Sequence, residues 1–282
     1  MKPYIALMKL RVVELLLVTT LPALFLAARG LPPLKITLAT LIGGTLAAGA
    51  SNAFNMIIEV DSDRLMARTS KRPIVSGEVS ESQAFYFAAF LTVLSLTIFS
   101  IFTNVFATVL TGAAIVIYVF GYTIVLKRRT SQNIVWGGIA GCMPVLIGWA
   151  AVTGELTLTA WLFFLVIFFW TPPHFWALAI KYKEDYSAAG IPMLPVVAPT
   201  KSVRSQTWFH SIAMVITSIL TVLSANLHWS IAVISLLLGI QFLRQVKDLD
   251  GPDANNGAGR LFQWSITYLS VFSLALVVGS LL

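Results

Sequence analysis

Long apolar runs, broken by short polar stretches, recur along the whole 282-residue chain. Each run approaches the roughly 20 residues needed to cross the hydrocarbon core of a bilayer. Nine such segments can be drawn, at 12–30, 36–58, 82–102, 105–126, 133–152, 159–180, 207–225, 229–246 and 262–282. The pattern predicts an all-α integral membrane protein with nine transmembrane helices. Thr103-Asn104 alone separates the third and fourth segments, and Leu227-His228 the seventh and eighth. Connections that short make each pair antiparallel neighbours. The first run, from Val12 to Ala28, has the look of a signal peptide. It contains Pro22 and no clear cleavage site, so it reads as a retained span. Residues 1–282 then form a single membrane domain, with no room for a separate soluble one.

Composition supports this. The chain is 57% hydrophobic and 11% charged, whereas a soluble domain is about a quarter charged. The single Cys142 sits in an apolar run, so no disulfide framework exists and the residue reads as a small buried hydrophobe. The net charge of +7 comes with no nucleic-acid motif. The cations lie in short connections, where a lipid bilayer surface or an anionic substrate is the relevant partner.

Charge also orients the chain. With the N-terminus in the cytoplasm, all of the 19 basic residues except Arg29 and Lys35 fall on the cytoplasmic side. This is the positive-inside pattern, and an odd number of spans puts the C-terminus outside. No transit-peptide pattern precedes the first span, which points to the bacterial inner (plasma) membrane. Of the 12 acidic residues, only Glu155 is external. Acids do little for topology, so their gathering among the cations implies another use. The small residues frequent in GGTLAAGASNAF, Gly43 to Phe54, let membrane helices approach closely, and Gly137 to Pro144 is a candidate kink.

The first constellation is NMIIEVDSDRLMARTSKRP. Asn55, Glu59 and Asp63 recur at four-residue steps, which places them on one helix face. Ionisable groups near the membrane are costly and point to function. Hard oxygen ligands on one face suit Mg²⁺, which is often bound by few carboxylates plus substrate phosphates. Arg64, Arg68, Lys71 and Arg72 follow at once and suit phosphoryl oxygens. Together these make a diphosphate-binding arrangement. Pro73 and Gly77 then start a turn.

The second constellation is FWTPPHFWALAIKYKEDYSAAGIPMLPVV. Lys181, Lys183 and Asp185 lie at a cytoplasmic helix end. Asp185 could supply a second metal site facing the first across a cavity, and the two lysines could contact the same phosphate oxygens. Lys183 could equally be an interfacial snorkelling residue. His174, beside Pro172-Pro173, reads either as a hydrogen-bonded packing residue or as a contact to the acceptor substrate. Trp170, Phe175 and Trp176 could line an apolar cavity or face lipid. Gly190 to Pro195 reads as an ordered loop.

NMIIEVDSDRLMARTSKRP, TPPHFWALAIKYKEDY and AAGIPMLPVV resemble the UbiA superfamily of intramembrane prenyltransferases. The last two resemble its haem farnesyltransferase branch, and the resemblance covers nearly the whole chain. It implies nine helices around a central cavity with the active site on the cytoplasmic side. Asn55, Glu59 and Asp63 match the first family motif. The family more often has Asp in the middle place, so Glu59 keeps the carboxylate on a longer arm. Arg64, Arg68, Lys71 and Arg72 match the basic positions that follow. Lys181 and Asp185 stand where the superfamily commonly has two Asp residues. A cation in the first place is similar to the haem branch, and His174 matches that branch's histidine. The resemblance implies catalytic roles for Asn55, Glu59, Asp63, Lys181 and Asp185, with metal held by Asn55, Glu59, Asp63 and Asp185. It implies substrate contacts from Arg64, Arg68, Lys71, Arg72, His174 and Lys183. The reaction implied is Mg²⁺-dependent transfer of a farnesyl group from farnesyl diphosphate to a vinyl group of haem B, giving haem O and diphosphate. A haem A synthase is a candidate partner. A prenyltransferase of the same superfamily with a quinone precursor or chlorophyllide as acceptor is the alternative. A transporter of phosphorylated solutes is less consistent, because the charges lie at helix ends and no repeat is found.

Overall fold

The computed structural model describes residues 2–250 and 254–282. Helices α1 (Lys2–Met8) and α2 (Leu10–Ala28) meet at Lys9. Next come α3 (Leu34–Ile58), the short α4 (Val60–Leu65) and α5 (Glu81–Phe102). Helix α6 (Val105–Val116) continues directly into a π-helical stretch, Ile117–Leu126. Helices α7 (Asn133–Thr153) and α8 (Leu158–Lys181) lead to the short α9 (Lys183–Ala188) and α10 (Leu194–Val197). Helices α11 (Thr200–Ser224), α12 (Trp229–Lys247) and α13 (Ala254–Leu281) complete the bundle. Among the described residues there is no strand, and nine helical segments are long and apolar enough to cross a membrane.

These nine coincide with the nine apolar runs. The largest differences are at the starts of α11 and α13, which begin at Thr200 and Ala254 rather than 207 and 262. Both extensions are polar, and that of α13 carries two asparagines and Gly257 and Gly259, so neither hydropathy nor helix propensity registers them.

Burial explains the order of layers. The most enclosed spans are α7 and α8, while α5 and α6 are the most open. Helix α8 packs on α7, α11 and α13, and α7 also packs on α2. Large apolar side chains of α5 and α6, such as Phe90, Val93, Val105 and Val109, remain exposed, as lipid contact requires. Helix α3 approaches α5 closely at Gly43, where a Cβ would lie 2.8 Å from the Phe99 ring. Ser95 Oγ donates to the Gly43 carbonyl there at 2.7 Å. A small residue thus permits both the packing and the interhelical bond.

Every short helix lies at one end of the bundle, where α3 and α8 finish and α2, α7 and α13 begin. Gly77 forms the expected turn before α5 with φ +78°. Gly190 to Met193 is a loop, as read from the sequence. Leu194–Val197 then makes one helical turn, because Pro195 sits at its start, where a missing N–H costs nothing.

Candidate active site

A cavity of about 350 Å³ runs into the bundle from the end that carries the short helices. Its mouth is polar, with Lys9, Asn55, Glu59, Asp63, Arg68, Arg72 and Lys127. Deeper down it is lined by Leu16, Ala47, Ala114, Ile115, Ile147 and Ile167. Along α2 the lining extends from Lys9 to Thr20, about 16 Å at 1.5 Å per residue. A charged mouth over an apolar shaft fits an amphiphile with an anionic head.

Asn55, Glu59 and Asp63 share this mouth, at 2%, 3% and 3% exposure. They are not on one uninterrupted helix, because the backbone breaks at Glu59 (φ −101°, ψ 9°) between α3 and α4. The helical phase survives the break. The Glu59 N–H donates to the Asn55 carbonyl at 3.0 Å, and the Asp63 N–H to the Glu59 carbonyl at 2.8 Å. The one-face reading therefore holds in geometry.

Each of the three meets a cation. Asp63 is ion-paired with Arg72, and Glu59 with Lys127. Asn55 Oδ1 accepts from Lys9 Nζ at 2.8 Å, and its Nδ2 donates to Thr123 Oγ1 at 3.2 Å. Lys9 adopts a left-handed conformation (φ 51°) at the joint between α1 and α2. Asn52 Nδ2 holds that joint by donating to the Met8 carbonyl at 2.9 Å. Burial pushes the Lys9 ammonium down to about 7, and the neighbouring Arg72 and Lys127 cations add to the effect. Such a group gains from an added anion.

Arg68 reaches the mouth between two aromatic rings, 5.6 Å from Tyr182 and 5.7 Å from Tyr186. It also donates to the Tyr186 hydroxyl at 3.3 Å. The opposite wall is the π-helical stretch. Thr123 Oγ1 there donates to the Tyr118 carbonyl five residues back, at 3.0 Å. Tyr118 and Tyr122 line the cavity, and the stretch ends by delivering Lys127. A π segment often marks a functional site.

Lys9, Lys127, Tyr118, Tyr122 and Tyr186 were not among the candidates from sequence. Lys9 and Lys127 belonged to the topogenic set of cations, and nothing in their spacing separates them from it.

Other expected residues are not brought together. Arg64 is exposed and pairs with Asp61 at 3.3 Å, and Lys71 is exposed, because the chain turns both outward. The second constellation does not face the cavity as a unit. Lys181 lines a separate hollow, Lys183 is exposed, and Asp185 is half-buried beside Tyr186 on α9 without lining the cavity. The helix break at Tyr182 turns Tyr186 inward and the charged residues outward.

His174 is packed within the bundle, against the cavity-lining Trp170 and Phe175. It is 5% exposed and stacked between Trp170 and Phe262, with ring centroids 4.3 and 4.6 Å away. Its Nδ1 lies 2.6 Å from Ser265 Oγ, which itself donates to the Phe262 carbonyl at 2.6 Å. Ser265 has one proton, so Nδ1–H is the donor to it. Trp170 and Phe175 line the cavity, whereas Trp176 is buried at 1% exposure among protein side chains.

The oxygens at the mouth fit a hard divalent cation. Glu59 and Asp63 supply carboxylates and Asn55 an amide oxygen, all on one wall. Among the described residues no cluster of three His, Cys, Asp or Glu could hold a metal ion. An Mg²⁺ here would need ligand oxygens from a substrate, which is its usual manner of binding.

The model of the UbiA prenyltransferase family matches residues 16–267. A protoheme IX farnesyltransferase of Streptomyces coelicolor is 46% identical over 100% of this chain and 91% of its own length. Protoheme IX farnesyltransferase 1 of Saccharopolyspora erythraea is 49% identical, over 98% of this chain and 89% of its own. Among solved structures, a UbiA homologue from Archaeoglobus fulgidus bound to DMAPP and Mg²⁺ superposes with a TM-score of 0.71. It is 19% identical and covers 98% of this chain and 99% of its own, so the likeness is one of fold. With the cavity, its polar mouth and these matches together, the chain belongs to the UbiA prenyltransferase family.

Proposed function

We propose that this protein transfers the farnesyl group of farnesyl diphosphate to a vinyl group of haem B, giving haem O and diphosphate. The observation that carries the prenyl half is the cavity, whose mouth holds four cations against two carboxylates above an apolar shaft. The acceptor follows from the protoheme IX farnesyltransferases that match nearly the full chain at 46–49% identity. The whole chain, 1–282, acts as one domain in the bacterial inner membrane. Its N-terminus and mouth are cytoplasmic and its C-terminus external, as the positive-inside rule directs. A haem A synthase is the candidate consumer of the product.

In this reading Lys9, Arg68, Arg72 and Lys127 bind the diphosphate. Asn55, Glu59 and Asp63 hold Mg²⁺ through oxygen, with Asp185 on α9, next to the cavity-lining Tyr186, as an added acid. Mg²⁺, when bound, supplies Lewis-acid stabilisation to the leaving diphosphate. The cations do the same from the protein side, since negative charge grows on the diphosphate as its bond to the farnesyl C1 breaks. The shaft takes the prenyl chain and keeps water from the allylic cation. The acceptor vinyl carbon then bonds to C1. Water adds at the neighbouring carbon and loses a proton, which leaves the hydroxyl of haem O. No protein nucleophile is needed.

The test is incubation of the purified chain with labelled farnesyl diphosphate and haem B. Label on the porphyrin supports the reading. Label only on a phenolic acceptor offered in competition would sink it.

A further inference from the structure

A second hollow lies at the same end of the bundle, at the seam between α8 and α13. Its volume is about 370 Å³, and Lys181, Asn255, Asn256, Gly259, Arg260 and Gln263 line it. None of these lines the prenyl cavity. Among the described residues, the lining holds one ammonium, one guanidinium and three amides, and no carboxylate. Arg260 Nη2 donates to Asp248 Oδ2 at 3.2 Å, which fixes the guanidinium at the rim while leaving it half exposed. Gly257 allows α13 to close on the preceding turn, since a Cβ there would stand 2.5 Å from the Asp248 carbonyl oxygen. The first turn of a long helix carries partial positive charge. A guanidinium with amide donors around it matches the planar, two-oxygen shape of a carboxylate.

The position of the hollow matters as much as its charge. Phe175 lies six residues before Lys181 on α8, and Leu269 six residues after Gln263 on α13, and both line the prenyl cavity. At 1.5 Å per residue, the hollow stands about 9 Å above that cavity wall along both helices. The stacked Trp170, His174 and Phe262 fill the seam between. Haem B carries its two propionates on one edge and its vinyl groups on the opposite edge. A porphyrin held by its carboxylates at this height extends its vinyl edge toward the prenyl cavity.

We propose that this hollow is a carboxylate subsite that takes the propionates of the porphyrin acceptor. The proposal rests on the haem reading above. It gives Lys181 a ligand other than the diphosphate, and it assigns Arg260 and the amides beside it to substrate orientation. Gly259 supplies an independent handle. A Cβ there meets nothing within 4 Å, so the backbone accepts a side chain at this position of the lining.

The full chain in nanodiscs of zwitterionic lipid is assayed with haem B and with its dimethyl ester as acceptors. The wild type is expected to show a KM at least tenfold higher for the diester. In Lys181→Gln/Arg260→Gln, and separately in Gly259→Phe, the KM for haem B should rise to that of the diester. The KM for farnesyl diphosphate should stay within twofold. Equal KM values for the two acceptors in the wild type would overturn the proposal. So would variants that raise the KM for farnesyl diphosphate instead, which would return Lys181 to the diphosphate. A discrimination seen only with anionic lipid present would assign the hollow to lipid phosphates and overturn it as well. If the wild type transfers nothing to haem, the acceptor reading fails, and tryptophan quenching by the two porphyrins decides the subsite on its own. A tenfold preference for the diacid that both variants abolish upholds it; no preference overturns it.

Discussion

The cluster on α3 and α4 and the cluster at the ends of α8 and α9 carry similar residue types. Their surroundings differ. Glu59 and Asp63 are almost fully buried, and each is paired with a cation remote from it in sequence or across a turn. Lys181 and Lys183 are exposed, and Asp185 is half-buried. A buried charge without a partner is costly, so burial forces the first cluster to converge on Lys127 and Arg72. Exposed charges have water and need not converge. Similar spacing in sequence thus gives one assembled site and one divided set.

The sharpest way to break that comparison is to remove one acid from each cluster. Asp63→Ala should abolish Mg²⁺-dependent transfer, and it should lower stability by about 3–5 kcal/mol because Arg72 loses a buried partner. Asp185→Ala should cost about tenfold in kcat/KM, with little change in unfolding temperature. Equal losses, read by labelled farnesyl transfer and thermal unfolding in detergent, would erase the distinction. Chelation should stop turnover and added Mg²⁺ should restore it, while the folded state persists. Full activity in chelator would remove the metal from Glu59 and Asp63.

Smaller effects sharpen the comparison. Lys9→Met or Lys127→Met should raise the KM for farnesyl diphosphate by about 10- to 100-fold, the worth of one charge-assisted hydrogen bond. Gly137→Ala should destabilise by about 1–3 kcal/mol, since its Cβ would stand 2.1 Å from the Tyr122 ring and the site wall must shift. Arg64→Gln and Lys71→Gln should change turnover less than about twofold, as exposed charges do little.

The nine spans were legible because each is a long apolar run, and their boundaries slipped only where helices continue into polar turns. Asn55, Glu59 and Asp63 were legible because spacing along one chain segment determines a shared face. Lys9 and Lys127 were not. Glu59 and Lys127 are 68 residues apart, and no local pattern distinguishes a cation that folds into a mouth from one that fixes topology. His174 shows the reverse limit. A histidine beside two prolines invites a functional reading, yet Ser265 and Phe262 on α13, far along the chain, pack against it together with Trp170 one turn earlier on α8. Cross-helix partners are properties of packing, and periodicity carries no record of them.

The wide turn at Ile117–Leu126 acts as a phase adjuster for the whole wall. Its i→i+5 bonding turns each residue less about the axis than the roughly 100° of an α-helix. Deleting one residue from this stretch would change the phase of everything after it relative to α6. Lys127 would swing away from Glu59, although every residue of the mouth would still be present. The reactivity of this surface therefore depends on a count of residues inside an apolar helix as much as on the charged side chains it displays.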